Sequence, residues 1–303
     1  MNHTAFLFPG QGSQAVGMGA SLVNVPEARA IFEQANRLLQ RDFSALMWQG
    51  PTDQLNETVN TQPALFIHSL AAWSAWRQQR PAFVAGHSLG ELSAMAAAGA
   101  LSFEDGLALV CLRGQLMQRA GQENPGGMAA ILGLEIPALE EVCAQASQGG
   151  EVVQVANDNC PGQVVISGHR AALERAMTAA KAAGAKRALP LAVSIAAHSP
   201  LMDTIQAEWN KAVDAAHFQQ PQIPVISNVH ALPLTDAAAL RADLKAQMQS
   251  RVRWTESVRF LADRGVTEFV EVGSGTVLGG LVKRIVTGAL TRPLGTLADF
   301  EAQ

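Results

Sequence analysis

The sequence predicts an α/β protein in which a large parallel-sheet domain, built from residues 1–123 and 194–303, is interrupted by a smaller ferredoxin-like unit over 124–193. Three observations predict it. Short apolar runs alternate with helical periodicity along most of the chain. One strand-to-helix junction carries Gly86-His87-Ser88-Leu89-Gly90. Between 124 and 193 the elements shorten and fall in the order β-α-β-β-α-β. A chain of 303 residues has room for one large core and one small one.

Thr4-Ala5-Phe6-Leu7-Phe8 reads as a first buried strand and ends in the small-residue turn Pro9-Gly10-Gln11-Gly12-Ser13-Gln14. That turn is neither a dinucleotide fingerprint nor a phosphate loop, because the next glycine is Gly17 and no Gly-Lys-Ser/Thr follows. Helical periodicity covers 27–40 and 63–79, with Pro63 suited to a first helical turn. Phe83-Val84-Ala85 is a buried strand that leads through the glycine-flanked serine into an Ala-rich helix, and a further helix covers 103–120. Gly126-Gly127 opens the insert: strand 128–134, helix 137–147, strands 152–157 and 163–167, helix 170–183, strand 187–193. The large domain resumes with helix 200–216, a strand near 224–227, helices 237–249 and 255–265, strand 268–272 and helix 277–286.

Bulk properties narrow the function. Apolar residues make up 48% and charged residues 16%, as in a compact globular chain, and a net charge of −4 gives no reason to expect nucleic acid or an anionic membrane as partner. The chain has no long apolar span and no leader-like start, so a cytoplasmic location is expected. A monomer is the simplest expectation, since no coiled coil or exposed apolar stripe is evident. Cys111, Cys143 and Cys160 form no C-x-x-C pair, and the seven histidines form no H-x-x-x-H pattern. No metal and no bound cofactor are expected; side chains must do the chemistry.

Glycines two residues either side of Ser88, between strand and helix, give the layout of a nucleophile elbow. A serine hydroxyl needs a base, and His198 is the best placed of the histidines, just before Ser199-Pro200, where Ser199 can cap a helix and Pro200 can fill its first turn. The competing reading of His198 is a surface histidine flanking a helix. No acid is singled out as a third member: Asp203 is already explained by the helix dipole, and a backbone carbonyl can hold the imidazole, which favours a Ser88–His198 dyad. Arg113 shares a helix face with Leu109, Val110, Leu116 and Met117, so its guanidinium points inward. It then needs an anion, either a structural carboxylate or the carboxylate of a ligand. The N–H of Leu89 is the expected first oxyanion donor and that of Gln11, in the glycine-rich turn, the second.

Phe8-Pro9-Gly10-Gln11-Gly12-Ser13-Gln14, Gly86-His87-Ser88-Leu89-Gly90-Glu91, Arg113 and Ala197-His198-Ser199-Pro200-Leu201-Met202 together resemble the malonyl-CoA:acyl carrier protein transacylases. The likeness extends to Thr61-Gln62-Pro63-Ala64, Asn157-Asp158-Asn159-Cys160-Pro161-Gly162-Gln163 and Glu271-Val272-Gly273-Ser274-Gly275. It implies an α/β-hydrolase-like large domain with a ferredoxin-like insert. It also implies Ser88 as acylated nucleophile, His198 as base, Arg113 as clamp on the malonyl carboxylate, and Gln11 and Leu89 as backbone oxyanion donors. Gln247 looks like the glutamine whose main-chain carbonyl orients the histidine, with Gln249 two residues on as the competing candidate, and Asn157 and Asn159 match positions near the pantetheine path, where polar loop residues read equally well as turn formers. The reaction implied is ping-pong: malonyl-CoA acylates the serine, and the phosphopantetheine thiol of acyl carrier protein takes the group, in fatty-acid or trans-acting polyketide synthesis. An acidic carrier would need local basic surface, for which Lys283 with Arg284, or Lys181, Lys186 and Arg187, are the candidates, with ordinary solvated charge as the competing reading of each. Ala196 and Ala197 depart from the bulky aromatic that malonyl-selective modular synthases often carry before the histidine.

Two other readings share parts of this pattern. An acyl hydrolase (serine thioesterase) acting on acyl carrier protein would keep the elbow and the histidine, but a desolvated cation in the pocket gives nothing to a neutral acyl chain. A non-catalytic docking module of a synthase complex would need neither Ser88, His198 nor Arg113.

Overall fold

The computed structural model of the chain describes residues 3–302 apart from 77 and 79. Its strands are β1 (Thr4–Phe8), β2 (Phe83–Gly86), β3 (Gly126–Leu132), β4 (Val153–Cys160), β5 (Gln163–His169), β6 (Arg187–Pro190), β7 (Val225–Ile226), β8 (Pro233–Leu234), β9 (Glu268–Val272) and β10 (Leu290–Leu294). In β1, Phe6 and Phe8 face one apolar core while Ala5 and Leu7 face another, and all four are buried. A strand dry on both faces belongs inside a parallel sheet. β1 is central in the order β10-β9-β1-β2-β7-β8, parallel throughout except for β8, which turns back antiparallel on β7. The helices Thr58–Ala75 and Phe103–Glu123 cover the Phe6 side, and Trp254–Asp263 and Val277–Ile285 cover the Leu7 side.

β3 to β6 form a separate antiparallel sheet in the order β4-β5-β3-β6, with the helices Ile136–Ala146 and Arg170–Ala182 packed on it through their own core of Ala129, Ile131, Leu139, Ile166 and Leu173. Strand order and connections are those of the ferredoxin-like split unit.

Several boundaries differ from the sequence reading. Pro63 lies inside the helix Thr58–Ala75, not in its first turn. The earlier start is held by Thr61 Oγ1 donating to Leu55 O at 2.7 Å and by Asn60 Nδ2 donating to Gln54 O at 2.9 Å, side-chain bonds to the short preceding helix Thr52–Asn56 that override the proline preference. The expected helix end at residue 79 lies outside the described residues. Helix 200–216 begins as a tight turn, Pro200–Met202, before the helix Asp203–Ala215. β6 stops at Pro190, short of 193. β10 escaped notice because Thr291, Arg292 and Pro293 break its apolar run, as an edge strand tolerates.

Candidate active site

The elbow is made where β2 meets the helix Gly90–Ala97, and three glycines let the backbones close around it. A Cβ on Gly86 would lie 1.9 Å from Gly90 C, one on Gly90 2.0 Å from Phe8 O, and one on Gly10 2.4 Å from His87 O. Ser88 takes φ +52°, a left-handed conformation that costs a side-chain-bearing residue of order 1 kcal/mol and lifts its hydroxyl clear of the sheet edge. The bend is tied down by Asn228: its Oδ1 accepts the Ser88 N–H at 2.7 Å, and its Nδ2 donates to Gly86 O at 2.7 Å.

His198, also left-handed at φ +57°, brings Nε2 to 2.7 Å from Ser88 Oγ. Its Nδ1 lies 2.9 Å from Gln247 O and 3.1 Å from Ser250 O. Carbonyl oxygens only accept, so the ring proton sits on Nδ1 and Nε2 is free to take a hydrogen from the serine. The orienting group is therefore a backbone carbonyl. Gln249, two residues on, has another use: its side chain bonds Asp203. Burial, reinforced by the Arg113 charge, pushes the His198 imidazole down to about 3 against the pull of the two carbonyls, so the ring is neutral.

Arg113 is buried in the helix Phe103–Glu123 and reaches the same point. Its Nη2 donates to Ser88 Oγ at 3.1 Å and to Gln247 Oε1 at 2.9 Å, and its Nη1 donates to Gln62 Oε1 at 3.1 Å. Among the described residues these partners are uncharged, and its buried Nε has none. Of the two sequence readings, the structural carboxylate is thus not found. Burial lowers the guanidinium to about 10, opposed by the charge of Glu91, and leaves it cationic at neutral pH. A desolvated cation beside a nucleophile-type hydroxyl is a seat for an anion.

The cleft over these groups holds about 210 Å³. Gln11, Ser88, Leu89, Arg113, His198, Asn157 and Asn159 all line it, beside Met117, Met128, Val165 and Ala197. Among the described residues the backbone N–H groups of Gln11 and Leu89 have no acceptor. Asn159 Oδ1 pairs with His87 Nε2 at 2.8 Å, and the His87 ring packs edge-on against Trp254, so this histidine belongs to the frame. All eight sequence-selected residues meet around one cleft, with Gln247 just behind it.

Sequence reasoning missed Gln62, Glu91, Asn228 and Ser250. Glu91 carries a signal, the one charged residue in an Ala-rich helix, and Gln62 a weaker one, an amide just before Pro63. Asn228 and Ser250 act from loops through contacts with no local pattern. Among the described residues no cluster of His, Cys, Asp and Glu is arranged to hold a metal, and no helix is long and apolar enough to cross a membrane.

Fold and site together define an α/β enzyme of acyl chemistry, with the reacting groups gathered at the carboxyl edge of a parallel sheet. Residues 5–290 match the acyl transferase domain family, and the chain belongs to that family. It is 48% identical over 306 residues to the malonyl CoA-acyl carrier protein transacylase of Salmonella typhimurium, an alignment covering 100% of this chain and 99% of the relative. It is 45% identical over 309 residues to that of Escherichia coli (strain K12), covering 99% and 100%. The crystal structure of an acyl carrier protein S-malonyltransferase from Vibrio cholerae superposes with a TM-score of 0.96 at 46% identity, over 99% of each chain. A malonyl-transacylase solved in complex with a type II PKS acyl-carrier protein superposes at 0.95 with 43% identity, over 99% of this chain and 98% of that one.

Proposed function

We propose that this enzyme transfers a malonyl group from malonyl-CoA to the phosphopantetheine thiol of acyl carrier protein through a malonyl-Ser88 ester. The observation that carries the reading is the Arg113 guanidinium, desolvated, paired with no acid among the described residues, and bonded to the same hydroxyl that His198 faces. In the first half-reaction the Ser88 proton passes to His198 Nε2 while Oγ attacks the thioester carbonyl. The oxyanion is received by the Gln11 and Leu89 N–H groups, and the CoA sulfur leaves with the proton from His198. In the second half the carrier thiol gives its proton to His198, its sulfur attacks the malonyl ester, and the Ser88 oxygen recovers the proton. The Gln247 carbonyl keeps the imidazole in the one tautomer that serves both halves, and Arg113 holds the free carboxylate. Asn157 and Asn159, on the opposite lip, face the path of the pantetheine arm. CoA thioester and carrier protein are both substrates, and no cofactor takes part.

The two sheets share no strand and enclose separate cores, which supports a division into 1–123 with 194–303 and an inserted subdomain 124–193. Three free cysteines, two of them buried, support a reducing compartment such as the cytoplasm. Apart from Leu189 and Leu191, two residues apart, the exposed large apolar residues fall in separate segments of the chain, which supports a monomer.

Intact-mass measurement after incubation with malonyl-CoA tests the reading. The expected result is a malonyl adduct on the enzyme that disappears on adding holo-carrier protein while malonyl-carrier accumulates. Loss of the adduct to water without malonyl-carrier formation overturns it in favour of hydrolysis.

A further inference from the structure

Behind the reacting groups lies a buried polar layer to which the reaction above gives no part. Glu91, fully buried in the helix Gly90–Ala97, does not line the cleft. Its Oε1 accepts the Asn228 N–H at 2.7 Å and its Oε2 accepts Gln247 Nε2–H at 2.6 Å. It also hydrogen-bonds the carboxyl group of Asp243, whose Oδ1 accepts the Ser227 hydroxyl. Two carboxyl groups in contact in a dry site cannot both ionise. Three of their four oxygens have an N–H or O–H donor, whereas Asp243 Oδ2 has none among the described residues. The single proton of the pair therefore belongs on Asp243 Oδ2, and Glu91 is the carboxylate. Burial raises both carboxyl groups above the ordinary carboxylate range, so the pair keeps one proton, and it is the arrangement of donors that places that proton on Asp243. The groups facing the pair are Gln247 from its own helix, Ala237–Gln247, Ser227, Asn228 and His230 from the loop after β7, and the Arg113 charge from Phe103–Glu123.

The consequence falls on Gln247. A free amide can sit either way round, but a carboxylate only accepts, so Glu91 requires the Nε2 end to point at it. Ser88 O, 2.9 Å from the same Nε2, requires the same. Oε1 is thereby left facing Arg113 Nη2. We propose that Glu91 is a positioning residue for acyl-group specificity, fixing the Gln247 amide with its oxygen toward Arg113 and so aiming the guanidinium at the carboxylate of the acyl group. This inference rests on the malonyl reading of the site.

Glu91→Gln has the same shape and the wrong donors. With its oxygen toward the Asn228 N–H, its NH2 meets Gln247 Nε2; relieving that clash turns the Gln247 amide over and sets its NH2 against Arg113. Asp243→Asn, by contrast, replaces an O–H donor with an N–H donor and keeps the Glu91 carboxylate as it is. The readout is the ratio of kcat/KM for malonyl-CoA to that for acetyl-CoA, with holo-carrier protein as acceptor. Glu91→Gln is expected to lower the ratio about tenfold or more, since a buried donor is left facing another donor. Asp243→Asn is expected to keep the ratio within about twofold of the parent, and Glu91→Asp, which retains two acceptor oxygens, to recover part of it. Gln247→Met, which keeps the main-chain carbonyl on His198, is expected to lower the ratio as Glu91→Gln does, and it decides the matter if Glu91→Gln does not fold. Equal losses for both acyl groups in Glu91→Gln or Gln247→Met, or an Asp243→Asn ratio that falls as far as theirs, overturn the inference. A parent enzyme that transfers no malonyl overturns the functional reading instead, so the two failures are distinguishable.

Discussion

The wall of the cleft built on the six-stranded sheet and the wall built on the four-stranded sheet use their residues differently. The first holds Ser88 and His198 in left-handed backbone, a buried arginine with no acid partner among the described residues, and a neutral imidazole pushed far below its ordinary range. The second offers Met128 and Val165 over a regular apolar core, with Asn157 and Asn159 as its polar contribution. Strain and uncompensated charge persist only where surrounding structure over-determines them, and here that surrounding is the Glu91–Gln247–Asn228 layer. One wall supplies reactivity and the other supplies shape.

Ser88→Ala breaks the comparison most severely. Intact mass after incubation with malonyl-CoA is expected to show no adduct, and transfer to fall by about 10³-fold or more. Met128→Ala, on the shape-giving wall, is expected to keep the adduct and change kcat/KM by less than about tenfold. An adduct retained in Ser88→Ala, or an equal loss in Met128→Ala, would erase the distinction between the walls.

Arg113→Ala comes next. Removing a desolvated guanidinium from its carboxylate partner is expected to lower malonyl transfer about 10²-fold or more, with a much smaller loss for acetyl transfer. Comparable losses for the two acyl groups would make Arg113 a packing residue and move it, in function, to the other wall.

The pH profile sharpens the same contrast. His198 must be neutral to accept the serine proton, and protonation below about 3 switches it off, so kcat/KM for malonyl-CoA in the parent is expected to be flat from pH 8 down through 6.5 to about 5. The Arg113 charge is one cause of that depression, so Arg113→Ala is expected to move the acid limb upward toward 6.5. An acid limb unmoved by Arg113→Ala would mean that the cation does not act on the imidazole.

Much of this was legible from the chain. The two-faced burial of β1 follows from its uninterrupted apolar run, and the ferredoxin-like unit from six short elements whose periodicities alternate cleanly. The elbow was legible because its glycines answer to hard contacts: no Cβ fits at Gly86 or Gly90. What surrounds the elbow was not. Arg113 announced an inward charge, but only tertiary structure could show that Gln62 and Gln247 solvate it in place of an acid. Pro63 obeyed its local preference on paper and lost to the side-chain bonds of Asn60 and Thr61. Asn228 could not be found, because its part depends on an adjacency to Gly86 and Ser88 that no nearby residue encodes.

The smallest expected effect lies where the walls touch. Asn159, on β4, reaches across to His87, the residue before the elbow serine, and its Oδ1 is the partner of His87 Nε2. Burial pushes the His87 imidazole down, so the ring is neutral at physiological pH, and with Asn159 as acceptor its proton lies on Nε2. Asn159→Ala removes that acceptor and leaves a partly buried N–H at the mouth of the cleft, at an expected loss of about 1 kcal/mol in stability. The elbow itself keeps Asn228 and its glycine contacts, so Ser88 acylation is expected to continue with kcat nearly unchanged. KM for malonyl-CoA is expected to rise a few-fold, because in the proposed reaction Asn159, which lines the cleft, faces the thioester's approach and not the reacting carbonyl. Steady-state kinetics beside chemical denaturation separate the two effects. A large fall in kcat with KM unchanged would mean that the shape-giving wall reaches into the chemistry through His87, and the division of labour between the sheets would have to be redrawn.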